Sequence, residues 1–531
     1  MGKNYRQKSQ GKSKNYESKG KGKDELRSRT NDPSWYGHNE ALIRDSASIP
    51  WSRALGTPVN LNCGAFNESV VEAMPGLCSV KLMPTFGRSI NSDSPMNVAA
   101  TSIYAYIRHA NSGHANYDSP DLMLYLMAMT QVYSAIVWLQ RTYGIATLYS
   151  QKNRYLPDVL LDASGFRPAS VQTSLADFRY RINELISKAA SLAVPTGMTI
   201  FNRHAFLYQN VYCEGDSVKD QMYMFNPAGF YMYKLNSDHS GMLEYIPTNY
   251  GMSIESACGY VSTMLQRLLM SEDMNIMSGD IIKAYGSNGI IKLNMVPTDY
   301  SIVPVHDYNV LNQIKNATVV FPSVGLDIKQ DAMHSYLIAN PIAITGTNVT
   351  TDPVELRSAV GLNVLTEDRI ITTSVVDPSP SDTIEATRLV VGATDFKTVG
   401  EDQRQVTLHF GSEIAVDTYY YTLALEKGAD GAEDMITNVN AVQYAHPVSF
   451  EHSNEGIEAI KELNIISKFK FHPCHHVFTI LGEEQTSRIN VDCGLNFDVD
   501  NYTIVNADTI AHMHSAALIN QFNVPSIAIV K

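Results

Sequence analysis

Leu122–Leu139 carries no charged residue over eighteen consecutive positions, and that run limits the folds open to the chain. A segment of this length and polarity can cross a bilayer or fill the centre of a large helical domain. Thr130, Gln131 and Ser134 interrupt it, Asp121 and Arg141 bracket it, and no second such span follows. These features predict a buried core helix rather than a membrane span. Ser119 reads as its cap, Pro120 as its first helical residue, and Asp121 as an acid in its first turn.

Further helical periodicity surrounds it. Val98–Ala110, Ser174–Leu192, Ile254–Met270, Met274–Tyr285 and Asp307–Asn316 place apolar residues at helical spacing. Residues 31–97, rich in Pro, Ser, Asn and Gly, read as a connecting arm. Residues 196–250 read as strands and loops between helices. Past residue 320 the texture changes to Thr, Val, Asp and Gly. Residues 341–450 hold 16 acids against 6 bases, a net of −10. QVTLHF at 405–410 alternates as a strand should, and Ile414–Leu425 is β-prone. Turns are expected at 377–382 and 427–434. Helical patterns return in Glu455–Lys468 and Ala507–Phe522. The expected fold class is α+β. A mostly α-helical body over 98–320 and 451–531 carries an inserted, acidic, β-rich domain over 321–450.

The first thirty residues behave differently. Lys3, Arg6, Lys8, Lys12, Lys14, Lys19, Lys21, Lys23, Arg27 and Arg29 face only Glu17, Asp24 and Glu25, a net of +7. The whole chain carries −13, so residues 31–531 carry −20. This tail has almost nothing apolar to bury against its ordering entropy and is expected to be disordered. KNYRQKSQGK at 3–12 and KNYESKGKGK at 14–23 repeat with a period of eleven. Regularly spaced cations can meet successive phosphates, and Tyr5 or Tyr16 can stack on an unpaired base. The ten basic residues are therefore the candidate RNA-binding set; a merely solubilising arm is the plainer alternative.

Other signals exclude more than they assign. Arg6 stands where myristoylation needs Ser or Thr, and no apolar h-region follows the start. Synthesis in the cytoplasm is the expectation. The six cysteines are scattered, without a C-x-x-C pair, and are expected to be reduced. His472, Cys474, His475 and His476, with His512 and His514, could be imagined around zinc. They lack a metal-ligand frame, however, and are expected to be packed or surface side chains. No Walker A, G-x-G-x-x-G or G-x-S-x-G motif occurs. Neither a catalytic residue nor a cofactor is expected. These residues alone leave open a scaffold that binds cellular RNA, or a hydrolase with a basic localisation tail.

IYAYIRHANSG (103–113), NYDSPDLMLYLMAM (116–129), QRTYG (140–144) and NRYLP (153–157), preceded by PTFG at 84–87, resemble the picobirnavirus capsid protein. That resemblance implies the coat protein of a bisegmented double-stranded RNA virus. Symmetric dimers would assemble into an icosahedral shell, with an α-rich shell domain and a projecting domain in each subunit. It also implies a basic N-terminus facing the genome, self-cleaved in some members, and contact with host membrane on entry. No motif in this chain marks a scissile bond. A cation arm inside and an acidic insertion outside suit such a shell.

Overall fold

The computed structural model describes residues 35–51, 59–62, 69–72, 76–111, 117–148, 156–215, 220–236, 240–320, 324–331, 333–346, 365–399, 403–427, 433–440, 445–448, 463–481, 488–493 and 499–523, with the single residues 74 and 322. The chain divides into two units, 1–53 and 54–531. In the first, Asn39 caps the helix Glu40–Ser48 by accepting from the Ala41 amide at 2.9 Å. The second unit holds everything that follows.

Its centre is the helix Ser119–Ala146. The cap is Asp118 rather than Ser119. The Asp118 carboxylate accepts from the Asp121 amide at 3.3 Å, and the Asp121 carboxylate accepts from the Asp118 amide at 3.2 Å. This reciprocal box satisfies two amides that a helix start otherwise leaves unpaired. Of its most apolar eighteen-residue stretch, 94% is buried within the chain itself. The helices Pro95–Ala110, Leu175–Ala189, Thr199–Leu207 and Ile254–Leu269 and the strand Gly229–Leu235 surround it. Each large apolar side chain so enclosed stabilises the fold by roughly 1.5–3 kcal/mol. The helix's hydroxyls cause no conflict, because Thr130 donates to Leu126 O and Ser134 to Thr130 O one turn back.

Arg141 does not mark the helix's exposed end. It is fully buried and donates to the Phe225 carbonyl and the Asn226 side chain, both at 2.6 Å. Burial pushes its guanidinium down to about 10. The charge thus ties the central helix to the end of the strand Met222–Pro227.

That strand lies in a five-stranded sheet, which overturns the reading of residues 31–97 as an arm throughout. Its order is Glu433–Asn440, Glu413–Lys427, Leu77–Pro84, Met222–Pro227, Tyr212–Cys213. Leu77–Pro84 is a core strand, with seven of its eight residues buried. It runs parallel to Met222–Pro227 and antiparallel to Glu413–Lys427, which carries a bulge between Ala415 and Asp417. The acidic β-rich stretch is therefore stitched into the central sheet by its own longest strand. Met83 and Val320 also share one apolar cluster with Val391, Val406, Phe410 and Ile414.

Smaller sheets complete the unit. Gly229–Leu235, Gly241–Pro247, Ile328–Gln330 and Leu337–Ile338 form a four-stranded sheet. Ile342–Gly346, Gln403–His409 and Gly392–Val399 form a three-stranded one, as do Ala445–Val448, His476–Leu481 and Arg488–Cys493. Asp368–Thr373 pairs with Asn501–Asn506. The region after 450 thus contains strands as well as helix. The expected turn at 377–382 is instead a helix start. Ser379 and Asp382 form a capping box, and Pro380 opens the helix Pro380–Ala386. The expected turn at 427–434 lies mostly outside the described residues. The C-terminal helix Ala507–Gln521 packs on Pro95–Ala110, on Thr199–Leu207 and on the strand Gly392–Val399. It comes so close that a Cβ on Gly87, at φ +78°, would meet Leu518.

Candidate functional site: a buried polar clamp and a basic arm

The strand Glu413–Lys427 begins where three helices converge, and its first residues make a cluster of buried polar contacts. Thr85 takes hold of the preceding turn, donating from its hydroxyl to Gly411 O at 2.7 Å and from its amide to Ser412 O at 2.8 Å. Arg203, on the helix Thr199–Leu207, donates to Glu413 from Nε at 3.1 Å and from Nη2 at 2.5 Å. The same Nη2 reaches Gln313 Oε1 at 3.0 Å, on the helix Tyr308–Lys315. Burial would push the Glu413 carboxyl up. The charge and hydrogen bonds of Arg203, with the Ser412 hydroxyl, more than reverse this and hold it below the usual range. A buried carboxylate needs such a partner.

Two buried histidines flank this turn. Tyr231 N donates to Gln131 Oε1 at 3.4 Å, so the Gln131 amide nitrogen points at His204 Nδ1, also at 3.4 Å. That leaves Nε2 to carry the His204 proton and donate it to Ser412 O at 2.8 Å. On the other side His514, from the C-terminal helix, donates from Nε2 to Val390 O at 2.8 Å. Its Nδ1 is buried without a hydrogen-bond partner. It lies where a Cβ on Gly411 would be, at 2.7 Å, so only glycine fits there. Burial holds both rings down at about 4. Arg388 is also buried, donating from Nε to Ile384 O at 2.8 Å, and burial lowers its guanidinium as well. Gln521 donates to the Ser412 hydroxyl at 3.4 Å.

This cluster is a lock. Ser412 donates its hydroxyl to Glu413, while His204 bonds the Ser412 carbonyl. No histidine bonds that hydroxyl, so the nucleophile–base contact of a hydrolase is missing. What the cluster does is fasten the C-terminal helix and two internal helices to the first turn of a central strand. Nothing in the local sequence announced the pairing of Arg203 with Gln313 and Glu413, because these partners lie 110 and 210 residues away.

Each histidine-rich motif has its own packing partners, with the His472 and His475 rings 5.7 Å apart. His472 and His475 are buried, and both bring Nδ1 to Pro473 O at 2.7 Å. His475 Nε2 lies 3.3 Å from the Thr418 and Tyr420 hydroxyls. His514 belongs to the clamp and His512 is exposed. No group of three potential metal ligands occurs among the described residues. The ten basic residues of the arm lie outside the described residues.

The family described as "Picobirnavirus, Capsid protein" matches residues 35–340, and the chain belongs to that family. The capsid protein precursor of human picobirnavirus (strain Human/Thailand/Hy005102/-) is 28% identical, over 94% of this chain and 91% of that one. The X-ray structure of the picobirnavirus capsid superposes with a TM-score of 0.78 at 21% identity, over 94% of this chain and all of that one. A structural component of the virion is what this membership defines.

Proposed function

We propose that the chain assembles as symmetric dimers into a closed icosahedral shell around double-stranded RNA, and that the arm 1–30 holds the RNA. The observation that carries this reading is the opposition of charge, +7 on the arm against −20 on the rest. The arm also precedes the family match, which starts at residue 35. A cationic tail on an acidic body suits a ligand recognised by phosphate rather than by shape. Lys3, Arg6, Lys8, Lys12, Lys14, Lys19, Lys21, Lys23, Arg27 and Arg29 are the proposed contacts. Membrane contact on entry would have to use segments other than the central helix, whose apolar surface is already occupied.

The test is to express the full chain and a chain lacking residues 2–30, image both, and extract their RNA. Particles should form, the melting temperature should be unchanged, and the truncated chain should carry far less RNA. If the arm engages six or more phosphates, its RNA affinity should fall roughly a thousandfold between 50 and 200 mM salt. Equal RNA in both preparations would remove the arm from the reading.

The acidic excess of 341–450 further supports an outward position for the exposed parts of that stretch. Its strand Glu413–Lys427 remains rooted in the wall. Protease added to intact particles should then cut within 341–450 while the arm stays whole. Cutting of the arm first would reverse the assignment of inside and outside.

A further inference from the structure

Among the described residues, the strand Asn501–Asn506 has a sheet partner on one side alone. Its partner is Asp368–Thr373, antiparallel, with Ile370 opposite Ile504 and Thr372 opposite Tyr502. No other described strand pairs with it. Native proteins guard such edges with lysine, proline or a bulge. The sequence NYTIVN has no charge, proline or glycine, and its six pairs run without a register shift. Tyr502 is 60% exposed and Ile504 61%, with Ile370 beside them at 36%. On a solitary soluble chain this would be a template for aggregation. A capsid subunit, by contrast, works surrounded by copies of itself, and a neutral strand brings no like charges together when it meets its own copy.

We propose that this edge pairs antiparallel with the same strand of a second copy, about a two-fold axis through Thr503, giving a four-stranded sheet shared by two subunits. The inference rests on the assembly reading above. Side-chain alternation decides the register: opposed residues must point to the same face, so the axis passes through a residue and not between two. Through Thr503, Tyr502 of each copy lies opposite Ile504 of the other. That is an aromatic–β-branched pair of the kind that stabilises sheets. It also continues the exposed apolar face that Ile370 begins. Asp500, held at 3.5 Å by Lys315, then falls opposite Asn506. An axis through Ile504 would instead bring Asp500 towards Asp508. The contact is isologous, as closed shells built from two-fold dimers require.

The experiment is disulfide trapping in the full chain. Residues on the axis have Cα atoms about 4.5–5.5 Å apart, within the roughly 4.4–6.8 Å that a disulfide spans. Thr503→Cys should therefore give a reducible covalent dimer under mild oxidation, in particles or in solution. Tyr502→Cys and the parent chain should give only background. Ile504→Lys changes an exposed side chain, so the melting temperature of the monomer should hold. Dimer affinity measured by sedimentation should nevertheless weaken at least tenfold. If the parent assembles but Thr503→Cys forms no covalent dimer, or the link forms through Ile504→Cys instead, the proposal is overturned. An Ile504→Lys chain that dimerises as tightly as the parent overturns it too. A parent that never associates is a failure of the assembly reading, and this inference goes with it.

Discussion

Leu126→Asp should abolish soluble expression. Leu126 sits in the central helix and is 1% exposed. Removing the side chain costs about 2–5 kcal/mol in lost packing. The incoming carboxylate then has to ionise in an apolar surround or take up a proton to stay neutral, at a further several kcal/mol. Together these approach or exceed the roughly 5–15 kcal/mol that holds a typical domain folded. The contrast is Tyr180→Asp, on the helix Leu175–Ala189, where the side chain is 68% exposed. That change should shift stability by about 0.5 kcal/mol or less. Soluble yield and thermal melting of the two variants check the pair. If Leu126→Asp folds with a near-parental melting temperature, the helix is not the core. Recovery of the parent chain as an integral membrane protein, resistant to alkaline washing, would show the same.

That helix was legible because its signal is local. Eighteen uncharged residues followed by no second span admit few placements, and periodicity alone gave the helices Ile254–Leu269 and Tyr308–Lys315 to within a residue at each end. The α+β class was legible for the same reason, through the alternation at 405–410. The strand Leu77–Pro84 was not legible. Seven of its eight residues are buried, so it lacks the period-two alternation that marks a half-exposed strand, and the turn-rich sequence before it suggested a linker. The helix Thr199–Leu207 was lost among aromatic residues, having no side-chain cap to announce it. The stitching of 413–427 into the central sheet depends on a pairing more than 300 residues distant in sequence, which no local pattern encodes. The same holds for the clamp, where Arg203 and Glu413 become partners only in the fold. Family membership supplied what charge segregation suggested but could not name.

The clamp makes stability depend on acidity, and its two histidines set the window. Their folded values are about 4 against 6.5 for a free ring. Above pH 6.5 both states hold them neutral, and no difference arises. Between pH 6.5 and about 4 the unfolded chain binds two protons that the folded chain refuses, so stability falls as pH falls. The slope approaches about 2.7 kcal/mol per pH unit in the middle of that window, for two protons at about 1.36 each. Glu413 acts lower. Its folded value lies below the usual 4.5, so its contribution is full above 4.5 and is lost only as pH falls through that lower value. Charging the rings would also set two new cations beside Arg203 and Arg388, with Glu413 as the carboxylate bonded into the turn among the described residues; His409 adds a third ring near His514. The helix Ala507–Gln521, held there by His514 and Gln521, should open first. Hydrogen exchange of that helix, followed from pH 7 to 4.5, should show protection lost ahead of the central helix. In a His204→Gln/His514→Gln chain, each glutamine can keep an amide donor towards Ser412 O or Val390 O without a proton to gain. Denaturant melts of that chain should be less stable than the parent at pH 7, yet should fall much less steeply from pH 6.5 to 4.5 than the parent, with His409, also held down by burial, leaving a residual slope. Parallel pH profiles for the two chains would show that the buried rings do not govern acid stability.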